Sequence, residues 1–195
     1  METLIPLIGF AFATSATPGP NNMMLLASGA NFGLRRSLPH MLGISMGHAF
    51  MVMVMGTGLA AALHQAPQVM LALKIAAIAY VLWLAWKIAH AAAPSAGKAG
   101  ASPLTFWQAA AFQWVNPKAI AMAITAVTVY GVKGGFASVI IVALVFAAVN
   151  LPSVMLWCGL GEVLRSTLQN PLRLRIFNVT MAVLLLASMV PVLWA

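Results

Sequence analysis

Six apolar stretches dominate this chain, and each is long enough to cross a lipid bilayer. A membrane-spanning helix needs about 20 consecutive apolar residues. Of the 195 residues, 63% are apolar and only 6% are charged, whereas a soluble domain carries about a quarter charged residues. Lipid must therefore solvate most of the surface. The predicted spans cover residues 4–26, 40–63, 69–90, 106–130, 136–160 and 176–194.

The same composition excludes several classes of protein. One cysteine, Cys158, allows neither a disulfide scaffold nor a thiol–disulfide carrier, which needs a pair. Glu2 and Glu162 are the only acids and the four histidines are scattered, so we expect no metal site, no cofactor and no enzymatic activity. The net charge of +8 is spread over the chain, which argues against a nucleic-acid partner. Membrane lipid is the expected surrounding.

Lysine and arginine positions indicate the orientation. Cytoplasmic loops carry an excess of both residues. The opposite side has only Lys133, so we expect both termini outside, in a bacterial inner (plasma) membrane. The linker 91–105 divides this single transmembrane domain, 1–195, into halves of about 1–90 and 106–195. The loops after spans 1, 3 and 5 hold Arg35, Arg36, Lys87, Lys98, Arg165, Arg173 and Arg175.

Two spans contain prolines that should interrupt them. Span 1 has Thr17-Pro18-Gly19-Pro20-Asn21, and span 4 has Asn116-Pro117-Lys118. Proline removes a backbone donor and disfavours helix before it. Pro20 and Pro117 are 97 residues apart, so the breaks lie at matching places.

Three spans per half bring the second half into the membrane from the opposite side. The sequence therefore predicts an all-α integral membrane protein, with six helices in a 3+3 inverted repeat and broken helices 1 and 4. His40 and Ala137, where spans 2 and 5 begin, are also 97 residues apart. The run Asn150-Leu151-Pro152-Ser153 predicts a further break in span 5.

Paired, interrupted spans are typical of the midplane site of a secondary transporter. Half-helix N-termini attract anions and free carbonyls attract cations, and an amino acid carries both charges. The alternative is that the prolines only kink the helices and shape their packing. The predicted substrate-binding residues are Pro18, Gly19, Pro20, Asn21, Asn116, Pro117, Lys118 and Asn150.

Two ionisable residues inside the spans need an explanation. Lys118 lies in the middle of span 4 with no acid inside the membrane. A substrate carboxylate would balance its charge, or it could pair with backbone carbonyls of the broken helix. His48 has an ordinary pKa of about 6.5 and is the candidate for proton coupling. It could instead be a neutral side chain that is hydrogen-bonded to a neighbouring helix.

Other residues predict helix packing and the membrane boundary. His40, His64 and His90 lie at span ends and should be interfacial. The spacings Gly29–Gly33 and Gly43–Gly47 permit close helix contact. That contact could lie within the chain or between subunits, which leaves a homodimer open.

Several of these motifs, in this order, resemble the LysE/RhtB family of amino-acid exporters. The resemblance implies export of small neutral amino acids or related metabolites from the cytoplasm, and the broken spans together with His48 predict that the export is by proton antiport. Exporters of basic amino acids or of another small solute, and a small-solute channel, are the alternatives. Many members have an acid where this chain has His48. The matching motifs are residues 17–21, 33–36, Gly43, Gly47, 79–86 and 116–119. The cysteine/O-acetylserine exporter branch is indicated by Phe106-Trp107, Phe112-Gln113 and Val115-Asn116.

Overall fold

The computed structural model describes residues 3–59, 67–91, 102–131 and 135–187, and these ranges contain helices but no strand. A π-helical turn, Met55–Leu59, extends α3, and another, Val127–Gly131, extends α6. A short 3₁₀ turn, Thr167–Gln169, precedes the last helix. The eight α-helices are α1 (Leu4–Ala16), α2 (Pro20–Phe32), α3 (Leu38–Val54), α4 (Pro67–Ala89), α5 (Phe106–Gln113), α6 (Pro117–Ala126), α7 (Gly135–Leu164) and α8 (Pro171–Ala187).

Both interruptions predicted for spans 1 and 4 are present. Helix α1 ends at Ala16 and α2 begins at Pro20, while α5 ends at Gln113 and α6 begins at Pro117. Each second half starts with proline at its first position, where the missing N–H would have no intrahelical partner. The prolines therefore end one half-helix and start the next.

The break predicted in span 5 is wrong. Helix α7 runs for 30 residues through Pro152. A lone proline removes one helical hydrogen bond, and neighbouring side chains can compensate for that loss inside a membrane protein. The hydroxyl of Ser153 donates to the carbonyl of Val149 at 3.0 Å, beside the proline. Span 1, which is interrupted, differs from α7 because it has two prolines around a glycine.

Among the described residues, two helices are long and apolar enough to cross a membrane by length and composition: Leu38–Gly58, which is α3 with most of its π turn, and α7. The 13 residues of α1 rise only about 20 Å, so a broken span needs both its halves to cross. His64, the linker residues 92–101 and the last part of the sixth predicted span lie outside the described residues.

Helices α3 and α7 pack against each other at the centre of the fold. Helices α1 and α2 pack on α7, while α5 and α6 pack on α3. Helix α4 packs against α8. Each half of the chain therefore places its broken span on the long helix of the other half.

Glycines bring the helix backbones of this core into contact. A methyl group on Gly29 would overlap the carbonyl oxygen of Cys158, and one on Gly161 would overlap that of Leu26. These contacts join α2 to α7. The glycine pair of α3 meets α5 in the same way, since a Cβ on Gly47 would lie 2.6 Å from Cα of Ala110. The predicted close contacts are thus made within the chain.

His40, which was expected at the membrane interface, is buried within the protein. Its side chain is 2% exposed, and neither ring nitrogen has a partner among the described residues. It lines a cavity of about 300 Å³ with side chains of α2 and α4, including Met24 and Leu84. The first turn of α3 is therefore covered by neighbouring helices. His90 is exposed, as expected for a residue at a span end.

Candidate functional site

The C-terminal end of α1 has its carbonyls satisfied by side chains from other helices. The last carbonyls of a helix have no partner within it. The amide Nδ2 of Asn22, on the first turn of α2, donates to the carbonyls of Ser15 and Thr17, both at 2.8 Å. The indole Nε1 of Trp157, on α7, donates to the carbonyl of Ala16 at 3.2 Å. The first break is therefore held from two sides.

A lysine from the second break completes this set of donors. Lys118 is the second residue of α6, but its ammonium group lies on the first break. Its Nζ donates to the carbonyl of Thr17 at 2.7 Å, to Oγ1 of Thr17 at 2.9 Å and to the carbonyl of Pro18 at 3.2 Å. Lys118 thus makes the pairing with backbone carbonyls that the sequence left open as the alternative to a substrate carboxylate. These carbonyls belong to span 1, whereas Lys118 itself belongs to span 4.

An asparagine caps the half-helix that starts the second break. Asn116 is 1% exposed, and its Oδ1 accepts the backbone N–H of Lys118 at 3.2 Å. This is the usual N-cap bond, which satisfies a donor of the first turn. Its Nδ2 makes no hydrogen bond to the residues that the structure describes. The side chain therefore caps α6 and keeps one amide donor free.

A pair of amides joins the two breaks directly. Nδ2 of Asn21 donates to Oε1 of Gln113 at 2.9 Å, and Nε2 of Gln113 donates to Oδ1 of Asn21 at 3.2 Å. Asn21 is on the first turn of α2, and Gln113 is the last residue of α5. The interruptions of spans 1 and 4 thus meet in one place, although 92 residues separate the two amides.

The N-terminus of α2 is not capped by a side chain. The N-cap residue is Gly19, and the described part of the chain supplies no side-chain acceptor there. The first N–H groups of a helix have no intrahelical partner and form the positive end of its dipole. The N–H groups of Asn21 and Asn22 occupy this position. The first break therefore has satisfied carbonyls on one side and an uncapped helix N-terminus on the other.

His48 and Asn150 lie beside the breaks. His48 is 2% exposed, its ring packs against Phe146 with centroids 5.1 Å apart, and its Nε2 has no partner in the described ranges. Asn150 accepts a hydrogen bond from Ser45 at 2.9 Å and donates to Oγ of Ser15 at 3.2 Å. Asn150 thus links α7 to both α1 and α3 and makes the interhelical bonds that polar residues form in membranes.

These groups enclose one small cavity of about 20 Å³. That volume holds about one water molecule, so an amino acid fits only after helices move apart. Pro18, Pro20 and Pro117 shape the breaks but do not line the cavity. Six predicted residues line it: Gly19, Asn21, His48, Asn116, Lys118 and Asn150.

Sequence reasoning missed several polar residues at this site. Thr14, Ser15 and Asn22 also line the cavity, and Thr17 accepts from the ammonium of Lys118. The sequence could have indicated these four polar residues, since all of them lie within five residues of Pro18 in an apolar stretch. Ser45 on α3 had no such signal, because only the fold brings it to Asn150.

The arrangement is suited to a small zwitterion. In the described ranges no three His, Cys, Asp or Glu residues come together as a metal site would require. The positive end of α2 and the ammonium of Lys118 favour a carboxylate. The carbonyls at the negative end of α1 favour an ammonium group.

The chain is similar in sequence to several curated proteins. A cysteine/O-acetylserine efflux protein of Klebsiella pneumoniae is 35% identical over 121 residues, covering 62% of this chain and 61% of the relative. Proteins of the same name from Escherichia coli and Shigella flexneri are 36% identical over 122 residues, covering 62% of both chains. The matched part thus spans about three fifths of the relatives' length. No solved structure matches the chain.

The family model of the LysE type translocators matches residues 12–191 and so covers both breaks and the helices that carry His48 and Asn150. The match confirms the resemblance seen in the motifs. It also agrees with the expectation that the protein is not an enzyme, because the family consists of translocators. The chain belongs to the LysE type translocator family.

Proposed function

We propose that the protein exports small neutral amino acids or related metabolites from the cytoplasm by proton antiport. The observation that carries this proposal is the first break, where the negative end of α1 lies beside the uncapped positive end of α2. These two helix ends match the ammonium and carboxylate groups of one amino acid. Relatives named as efflux proteins for cysteine and O-acetylserine support the direction and the substrate class.

The transport architecture would be an inverted repeat of three spans. The packing of the broken spans supports it: exchanging the halves turns the pair α2–α7 into α6–α3 and the pair α1–α7 into α5–α3, all of which are observed, and leaves the pairs α3–α7 and α4–α8 unchanged. Pro20 and Pro117 are also equivalent, since each is the first residue of a second half-helix. Such repeats place the substrate between two halves that rock against each other.

Six spans follow from joining the halves of each broken helix. Spans 1 and 4 are then α1 with α2 and α5 with α6, and the other four spans are single helices. The distribution of lysine and arginine supports an orientation with both termini outside the cytoplasm. The protein would then lie in the bacterial inner membrane.

His48 is the residue we propose for proton coupling. No Asp or Glu lines the cavity in the described part of the chain, so no carboxylate is available there to carry a proton. The imidazole borders the cavity with Nε2 unpaired. Histidine ordinarily titrates near neutral pH, so it could gain and lose a proton during a transport cycle.

Lys118 favours neutral substrates over basic ones. Its ammonium lies at the first break and borders the cavity. A second cation at 4 Å would be repelled by about 4 kcal/mol at an effective dielectric constant of 20. A substrate such as lysine or arginine carries that extra charge, whereas a neutral amino acid brings a carboxylate without it.

Reconstituted transport tests this function. Proteoliposomes should take up L-cysteine or L-serine against its gradient when a proton gradient is applied, with saturation at high concentration. Liposomes prepared without the protein are the inactive control. Unlabelled L-alanine should compete well and L-lysine poorly. Flux that does not saturate and ignores the proton gradient would indicate a channel and contradict the proposal.

A further inference from the structure

The ammonium group of Lys118 has the same chemistry as the ammonium group of an amino acid. A lysine side chain has three N–H donors and no acceptor. All three can be used here, by the carbonyl of Thr17, its Oγ1 and the carbonyl of Pro18. The oxygens that would receive a substrate ammonium are therefore already occupied by a cation of the protein itself.

Among the donors that satisfy the end of α1, Lys118 is the exchangeable one. Asn22 is buried and Trp157 comes from the central helix α7. The lysine is only partly buried, and Thr17 and Pro18 are exposed. No buried side chain therefore seals these oxygens, and the flexible stem of Lys118 can withdraw from them once the helices have moved apart to admit a ligand.

The backbone of the first break is shaped to admit this side chain. A Cβ on Gly19 would lie 2.8 Å from Cδ and 3.0 Å from Nζ of Lys118. Gly19 is extended, with φ −177°, a conformation open to any residue. Its lack of a side chain matters because the lysine crosses directly over it. The uncapped N–H groups of α2 belong to Asn21 and Asn22, which follow directly after Pro20.

We infer that Lys118 is a displaceable occupant of the subsite for the substrate's ammonium group. When an amino acid enters, its ammonium takes the oxygens of Thr17 and Pro18, and its carboxylate binds the N-terminus of α2. The released ammonium of Lys118 then pairs with that carboxylate. This inference rests on the proposed function, since it assigns the substrate's two charged groups to the same site. A ligand needs both charges for the exchange.

Three ligands that differ by one charged group separate this exchange from simple attraction. The probes are L-cysteine, cysteamine, which lacks the carboxylate, and 3-mercaptopropionate, which lacks the amine. L-serine, ethanolamine and 3-hydroxypropionate form a parallel set. Binding is measured by calorimetry on the purified full chain under reducing conditions. In the wild type both amino acids should bind, and each single-charge ligand should bind at least about tenfold more weakly, the equivalent of one charged hydrogen bond.

Lys118→Met should affect the amines more than the amino acids. The amino acids lose the lysine partner of their carboxylate but also no longer compete with the lysine for the oxygens, so the two effects offset and their affinity changes by less than about threefold. Cysteamine and ethanolamine no longer compete with a resident cation, so their affinity rises at least about tenfold over the wild type. Lys118→Gln should give the same pattern and serves if the methionine variant does not fold. Lys87→Met is the control: Lys87 lies over the Trp83 ring on α4, away from the cavity.

The outcomes distinguish the two proposals. If the wild type binds L-cysteine or L-serine but the amines bind equally well to wild type and Lys118→Met, the exchange is refuted and amino-acid export stands. If the wild type binds neither amino acid, the proposed function and the exchange both fail. A change in Lys87→Met equal to that in Lys118→Met would show a nonspecific charge effect and also refute the exchange.

Discussion

Replacing Asn116 tests whether the second break acts on the substrate or only on the fold. The side chain has two separable features, an Oδ1 that caps the Lys118 N–H and an Nδ2 without a partner in the described residues. Asn116→Ala removes both features. Asn116→Ser keeps an oxygen that can cap the helix but has no amide donor for a ligand.

The structure sets the expected size of the stability change. Loss of an N-cap costs about 0.5–2 kcal/mol, and we expect the upper half of that range because Asn116 is 1% exposed. Each kcal/mol lowers the melting temperature by about 2–4 °C in a chain of this size. Asn116→Ala should therefore melt about 2–8 °C lower and remain abundant in the membrane. Asn116→Ser should melt within about 2 °C of the wild type.

Transport in proteoliposomes gives the functional result. Both variants should lose at least 90% of uphill export, about a tenfold effect, because both lack the amide donor at the cavity. The melting temperatures are read from the same preparations by intrinsic tryptophan fluorescence. Wild-type export by Asn116→Ala would show that the second break is structural only. Normal export by Asn116→Ser alone would assign the effect to the cap and not to a contact with substrate.

Further predictions address orientation, coupling, packing and selectivity. Alkaline phosphatase fused after Ala195 should be active and green fluorescent protein dark; a bright fusion would contradict an external C-terminus. His48→Gln keeps a polar side chain that cannot titrate, so flux driven by the pH gradient should be lost while some exchange remains; unchanged uphill transport would place coupling elsewhere. Gly29→Leu should greatly reduce the folded protein because its side chain would meet the α7 backbone, whereas Gly159→Leu, in open space, should not; equal yields would refute the contact. In competition for transport, L-lysine should be far weaker than small neutral amino acids, and preference for lysine would refute the role of Lys118.

The sequence predicted the two breaks well because their cause is local. Pro18, Pro20 and Pro117 act on the backbone next to them, and the flanking polar residues have few alternatives inside a membrane. The predicted break at Pro152 failed for a tertiary reason. A single proline leaves most of the helical bonds of α7 intact, and this central helix continues through Pro152 while it packs against α1, α2 and α3.

Contacts between distant parts of the chain could not be predicted in the same way. Lys118 was expected to have either a substrate carboxylate or the carbonyls of the broken helix, but not Thr17, which is 101 residues away. His40 appeared interfacial because it starts a span, and only the packing of α2 and α4 over it shows that it is buried. Periodicity and composition report a residue's own helix, whereas the partners that decide burial come from other helices.

The glycine contacts divide each broken span into one half whose backbone touches a central helix and one half that packs through side chains. Backbone contact anchors α2 to α7 through Gly29 and Gly161, and it anchors α5 to α3 through Gly43 and Gly47. Helices α1 and α6 pack through side chains instead, and the Lys118 ammonium of α6 is hydrogen-bonded to the end of α1. Helix α6 has ten residues and is therefore about 15 Å long. If α6 bent by about 20° at the second break, the size of a sharp proline kink, its far end would move by about 5 Å.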